Sequence, residues 1–332
     1  MVWLLILWRY AMSRFFIWFS LVALFVTAPF IGSASLHVSD LIDLDSLSAR
    51  IFFELRLPRV FFAFFAGVIL ALSGLLFQTL FRNALMTPYT LGISSGAVLG
   101  AGLAIKLGLG TLAFGIGAVS LFGFMGAMLT IVALITLARY IKHEQSNSLL
   151  LLGIALSLFY TSCLMILFYL GDAMQNDMLL RFTMGSLSVI GWQNPLLVGL
   201  ASFVLLIFIF IYRFELQLIS ISDESARLKG VDTQKLTLIL LGVSSFSIGV
   251  LVSMSGPIGF VGLIVPHIVS KIYPSSVNKR IVKTALLGGF FLVFCDMLVR
   301  LIVTQSELPI GIITALIGGP FFIYLIINKG RV

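Results

Sequence analysis

Apolar runs of about the length that crosses a bilayer recur along the whole chain, broken by short polar stretches. A helix needs about 20 apolar residues to span the hydrocarbon core, because its backbone rises only about 1.5 Å per residue. Ten such segments are expected, over 15–31, 60–81, 91–107, 112–138, 149–170, 196–212, 236–254, 258–272, 281–303 and 310–327. The eighth is short and holds Pro266, which predicts a helix that is tilted, broken or partly shielded by its neighbours. Lipid offers backbone N–H and C=O groups no partners, so spans of this kind are helices, and the expected class is an all-α integral membrane protein. It is read as one transmembrane domain over 1–332, with an outer segment at about 32–59.

The largest polar interruption, 213–235, holds eight of the 34 charged residues. Ser222 is placed to cap a short helix that carries Asp223 and Glu224 in its first turn and Arg227 and Lys229 in its last. That order suits the helix dipole, and Gly230 supplies a left-handed stop. Asp232 can then cap a further helix starting near Thr233. On this stretch alone, an ordered loop and a docking surface for a soluble partner fit equally well.

Composition sharpens the class. The 332 residues are 60% hydrophobic and 10% charged, with a mean hydropathy of +1.15, whereas soluble domains carry about 25% charged residues. Net charge +8 matters through its placement rather than its sum, so nucleic acid is not an expected partner. With the N-terminus in the cytoplasm, 15 Lys/Arg lie inside, from Arg9 and Arg14 through Arg82 and Arg213 to Lys329 and Arg331. Six lie outside or at outer span ends: Arg50, Arg56, Arg59, Lys106, Arg181 and Arg300. This asymmetry obeys the positive-inside rule, puts both termini and 213–235 in the cytoplasm, and favours an uncleaved first span. Gly92, Gly96 and Gly100 repeat every four residues, as a helix-packing stripe does, and Gly115, Gly117, Gly123 and Gly126 fit the same use.

Enzymatic groups are sparse. No Gly-Lys dipeptide occurs, so a phosphate-binding loop is excluded. His37, His143 and His267 are scattered, Cys163 and Cys295 lie in apolar runs, and no spacing suits a metal. Asp296 is the single acidic group well inside a span, and Arg300, one turn later, is expected to pair with it structurally rather than relay protons.

Several strings carry a resemblance. They are Arg56-Leu-Pro-Arg59; Phe81-Arg-Asn83-Ala-Leu-Met-Thr-Pro88-Tyr-Thr-Leu-Gly92-Ile-Ser-Ser-Gly96; Met184-Gly-Ser-Leu; Ser255-Gly-Pro-Ile-Gly-Phe-Val-Gly-Leu-Ile-Val-Pro-His267; and Glu307-Leu-Pro-Ile-Gly-Ile-Ile-Thr-Ala-Leu-Ile-Gly-Gly-Pro320. In this order and spacing they resemble the FecCD family of bacterial ABC importer permeases, although Ala84 stands where that family commonly has proline.

The resemblance implies a type II importer permease of ten transmembrane helices in the bacterial cytoplasmic membrane. It would work as a homo- or heterodimer with two cytoplasmic ATPase subunits, which hold ATP and Mg, and an outer substrate-binding protein. The chain itself would bind no cofactor and be no enzyme. Its cargo would be a ferric siderophore or related iron chelate, with cobalamin, haem or another metal chelate as alternatives and an ATP-independent secondary transporter as the competing class.

By the same resemblance, Ser222, Asp223, Glu224, Ala226, Arg227, Leu228, Gly230 and Val231 form the coupling segment, within about 214–235. Arg56, Arg59 and Arg300 match arginines that dock the binding protein, with anchoring of the second span as the alternative for the first two. Asn83 and Leu85 match the inner gate, and Ser157, Tyr160, Thr161, Thr314 and Gly318 the translocation path between two permease subunits.

Overall fold

The computed structural model describes residues 20–32, 46–110, 117–138, 146–302 and 308–329. The basic flank at Arg9 and Arg14, the outer residues 33–45, Gly115, and the inner-loop residues Arg139, Lys142 and His143 lie outside the described residues. Every element named here is a helix. They are α1 (Ser20–Phe30) and α2 (Leu47–Leu80), then α3 (Ile93–Lys106), α4 (Ala118–Ala138), α5 (Ser146–Leu170), α6 (Ala173–Met184) and α7 (Gln193–Ile211). There follow α8 (Arg213–Ile221), α9 (Asp223–Leu228), α10 (Thr233–Ser255), α11 (Val261–Ile272), α12 (Val277–Ile302) and α13 (Ile310–Lys329).

Among the described residues, α2, α4, α5, α7, α10 and α12 are long and apolar enough to cross a membrane, and α1, α3, α11 and α13 are shorter apolar helices. Each falls on an expected apolar segment. The second begins at Leu47 rather than Val60, because helix continues outward through Arg50, Glu54, Arg56 and Arg59, whose charges conceal it from a hydropathy reading. Two further helices were not expected. The first, α6, is a twelve-residue outer helix started by a capping box between Asp172 and Gln175. The second, α8, buries Leu216 and Ile219 beneath the start of the polar interruption.

The hub is α2. In its most apolar stretch 83% of positions are buried, against 6% in α5, so α2 is the centre of the bundle and α5 its margin. It packs along α12, α7, α11 and α10, while α3 and α4 form a second pair that leans on α10. Without a hydrophobic drive between helices in lipid, such crossings depend on close approach of small residues. At Gly67 an added Cβ would lie 2.1 Å from the carbonyl oxygen of Gly288, so α2 and α12 touch backbone to backbone. The expected stripe is met in part: Gly96 and Gly100 face Gly126 and Phe122 of α4, but Gly92 leaves the stripe, at φ +78°, to begin α3.

The crossing of α2 with α11 accommodates Pro266. A proline has no N–H, so the carbonyl four residues earlier, Gly262 O, loses its helical partner. Gln78 of α2 donates its side-chain amide to that oxygen at 3.0 Å. One turn earlier on α2, Gly74 brings the backbones close enough for that reach, since its Cβ would sit 1.9 Å from the same oxygen. The helix runs on through Pro266 unbroken, and the carbonyl that the proline frees is shielded by a neighbour, as lipid requires.

Candidate functional site

On the inner face the capped helix is present as expected. Ser222 Oγ accepts from Ser225 N at 2.9 Å, Asp223 and Glu224 occupy the first turn of α9, and Gly230 takes φ +81°. Asp232 Oδ1 then accepts from Lys235 N at 3.1 Å to start α10. Burial divides the segment. Ala226 is buried and Val231 packs against the core, so these two seat α9 on the bundle. Glu224, Arg227, Leu228 and Gly230 face outward, Leu228 at 88% exposure. Ile221, just before the cap, is also exposed. Arg213 stacks over Phe210 and Phe214, with its guanidinium 4.1 Å and 4.8 Å from the ring centroids, where the chain leaves the apolar zone.

Beside α9 runs the loop from Phe81 to Leu91. Asn83 Oδ1 accepts from Leu85 N at 3.0 Å, closing a tight turn that leaves Leu85 exposed. Arg82 stands at φ +47° and pairs with Asp223 Oδ2 at 3.0 Å. Sequence spacing holds no signal for that pair, which spans 141 residues.

On the outer face the three arginines converge on one carboxylate and one helix end. Asp296, 1% exposed, accepts from Arg59 Nε at 2.9 Å, and its other oxygen lies 3.0 Å from Arg300 Nη2 without hydrogen-bond alignment. The Asp296–Arg300 pair is therefore as expected, while Arg59 is an added partner. Arg300 Nη1 also donates to Ala28 O and Ile31 O at 2.9 Å each, and Arg56 Nη1 to Pro29 O at 3.3 Å and Phe30 O at 3.1 Å. These are the terminal carbonyls of α1, the negative end of its dipole, where a cation is favoured. Arg56, at 8% exposure, thus anchors α1 against α2. Three guanidinium groups around one carboxylate leave local charge positive.

The path candidates divide between the chain's surface and its interior. Thr161 is exposed and Ser157 and Tyr160 half-buried on α5. The hydroxyls of Ser157 and Thr161 donate to Gly153 O at 2.9 Å and Ser157 O at 2.8 Å, so these two protons are already engaged by the backbone of α5. On α13, Thr314 is fully buried and Gly318 backs onto the Phe260 ring, where a Cβ would lie 2.1 Å from Cγ. Leu316, Ile323, Tyr324 and Ile327 are the exposed large apolar residues of that helix. Periodicity located α13 but not which of its sides meets the bundle.

Among the described residues the chain is thus all-helical and multi-pass, with a capped helix held against an inner loop. The chain belongs to the FecCD transport family, whose profile matches residues 20–328. It is 33% identical over 284 residues to the iron chelatin transport system permease protein of Helicobacter pylori, covering 86% of this chain and 84% of that one. It is equally 33% identical, over 290 residues, to the vitamin B12 import system permease protein BtuC of Salmonella paratyphi A, covering 86% and 87%. A solved metal-chelate type ABC transporter in an inward-facing conformation superposes with a TM-score of 0.82 at 27% identity, over 94% of this chain and 99% of that one. The protein is an ABC transporter permease of this family.

Proposed function

We propose that this chain is the permease subunit of an ATP-driven importer whose cargo is a ferric siderophore or related iron chelate. The observation that carries the importer reading is the family match over nearly the whole chain. With no Gly-Lys dipeptide, the chain leaves ATP and Mg to two partner ATPase subunits. Those subunits dock on α9, where Glu224, Arg227 and Leu228 face water from a helix seated by Ala226 and Val231. Movement there reaches the inner gate at Asn83 and Leu85. The cargo passes between two permease subunits along Ser157, Tyr160 and Thr161 of α5 and the exposed side of α13. The Ser157 and Thr161 protons are engaged by backbone and the rest of the lining is mostly apolar, so a bulky chelate is not trapped in transit.

The outer binding protein is drawn by the positive cluster of Arg56, Arg59 and Arg300. Arg56 and Arg300 are nearly buried and spend donors on the end of α1, so their part is long-range attraction, which weakens as salt rises.

Iron is favoured by the Helicobacter pylori relative, and a cobalt corrinoid is the second reading, favoured by BtuC at the same identity. Element analysis of the binding protein that docks on this permease, purified from iron-limited cells, separates them. Retained iron with an organic chelator other than a porphyrin supports the first reading; retained cobalt, or iron in a porphyrin, replaces it with cobalamin or haem import.

A further inference from the structure

The inner end of α2 carries an unusual choice of residue. The helix closes at Leu80, and Arg82 turns the chain at φ +47°, its N–H donating to Thr79 O at 3.3 Å. A left-handed backbone suits glycine and is strained for a residue with a Cβ. Among the described residues only Arg82 and Phe260 take a positive φ without being glycine. Backbone geometry alone favours Gly at position 82, so the reason for arginine lies in its side chain.

That side chain reaches Asp223, the first residue of α9, at 3.0 Å. The partner is held in place, because the Ser222 cap and buried Ala226 fix the first turns of α9. Both side chains are close to half exposed, 44% for Arg82 and 45% for Asp223, so the pair adds little stability. Its position is what distinguishes it. The ion pairs Arg59–Asp296, Arg300–Asp296 and Asp177–Arg181 lie toward the other end of the molecule. Arg82 is followed directly by Asn83, whose side chain closes the turn that presents Leu85.

We propose that Arg82 is a positioning residue that ties the Asn83–Leu85 turn to α9 through Asp223. Displacement of α9 is then passed to the turn through one side-chain pair, in addition to the shared packing of the helices. This rests on the reading of α9 as the ATPase dock and of Asn83–Leu85 as the inner gate. Because the pair is exposed, water replaces it at small cost once the two elements part, so the tie is reversible within a transport cycle.

The test uses the complete permease–ATPase complex in proteoliposomes. A nitroxide is attached at Leu85→Cys, with Cys163 and Cys295 replaced by serine, and its spectrum is recorded without nucleotide and with Mg-ATP plus vanadate. With Arg82 present the nucleotide is expected to change label mobility. Arg82→Gly relaxes the backbone and removes the guanidinium, so thermal stability should not fall, yet the nucleotide response should shrink at least threefold. In the reversed pair, Arg82→Glu with Asp223→Arg, at least half of the response should return, while either single reversal stays low. A response of full size in Arg82→Gly, or no recovery in the reversed pair, overturns the proposal while leaving the dock and gate readings intact. An assembled complex whose label never responds, with Arg82 present, refutes the gate reading and the proposal falls with it.

Discussion

Arg59 of α2 donates to Asp296 of α12 at 2.9 Å, joining residues 237 apart in sequence at the outer end of two closely packed helices. The carboxylate is buried and is shared with Arg300. Removing it takes the shared counter-charge from two guanidinium groups, a loss of up to about 3–5 kcal/mol for a broken buried pair. Asp296→Ala should therefore lower the unfolding temperature in detergent sharply. Arg59→Ala should cost less, because Arg300 still answers the charge. Equal stability of Asp296→Ala and wild type would show that the cluster is not structural.

The contact between Gly67 and Gly288 makes a steric prediction. Gly67→Leu must push α2 and α12 apart, since even a Cβ meets backbone at 2.1 Å, and folded yield should collapse. Gly242→Ala is the matched control. Nothing lies within 4 Å of its Cβ position in α10, and a helical Gly→Ala change gains up to about 1 kcal/mol. Thermal unfolding of the two purified variants decides the matter.

Gln78 and Pro266 should be coupled. Gln78→Leu leaves Gly262 O without its donor at a cost of about 1–2 kcal/mol, in line with interhelical hydrogen bonds in membranes. Pro266→Ala restores a backbone N–H to that carbonyl. In a double-mutant cycle the Gln78→Leu penalty should shrink in the Pro266→Ala background; strict additivity would mean that the amide does not serve the proline break.

The outward residues of α9 carry the docking reading. Leu228→Glu with Glu224→Arg should cut ATPase co-purification at least tenfold while leaving permease yield unchanged, because neither side chain is buried. Undiminished co-purification and transport would remove α9 from the interface.

What the sequence disclosed was mainly local. Ser222, Asp223, Gly230 and Asp232 specify caps and stops within a few residues of themselves, so α9 and the start of α10 were legible. The pairing of Asp296 with Arg300 was legible for the same reason, being one helical turn. Arg59–Asp296 and Arg82–Asp223 depend on helix packing that no local spacing encodes. Arg56 was legible as a dock or an anchor of the second span at the interface; its hydrogen bonds to Pro29 and Phe30, which tie α1 to α2, again depend on packing. Two local signals did exist and went unread. Asp172 and Gln175 stand at capping-box spacing before α6, and Pro266 implies an orphan carbonyl at Gly262 that some neighbour must satisfy. The facing of α13 was beyond reach, because its apolar and small residues are spread around the helix and the contact of Gly318 with Phe260 is a matter of packing.

The central claim is that this chain moves cargo only when a partner hydrolyses ATP. Uptake of radiolabelled iron presented as a ferric siderophore on its binding protein, into proteoliposomes holding the permease with its ATPase, measures this directly. The expected result is accumulation that requires ATP inside the vesicle and vanishes when the ATPase subunit is left out or its phosphate-loop lysine is replaced. Accumulation that persists without ATP or without the ATPase would contradict the account.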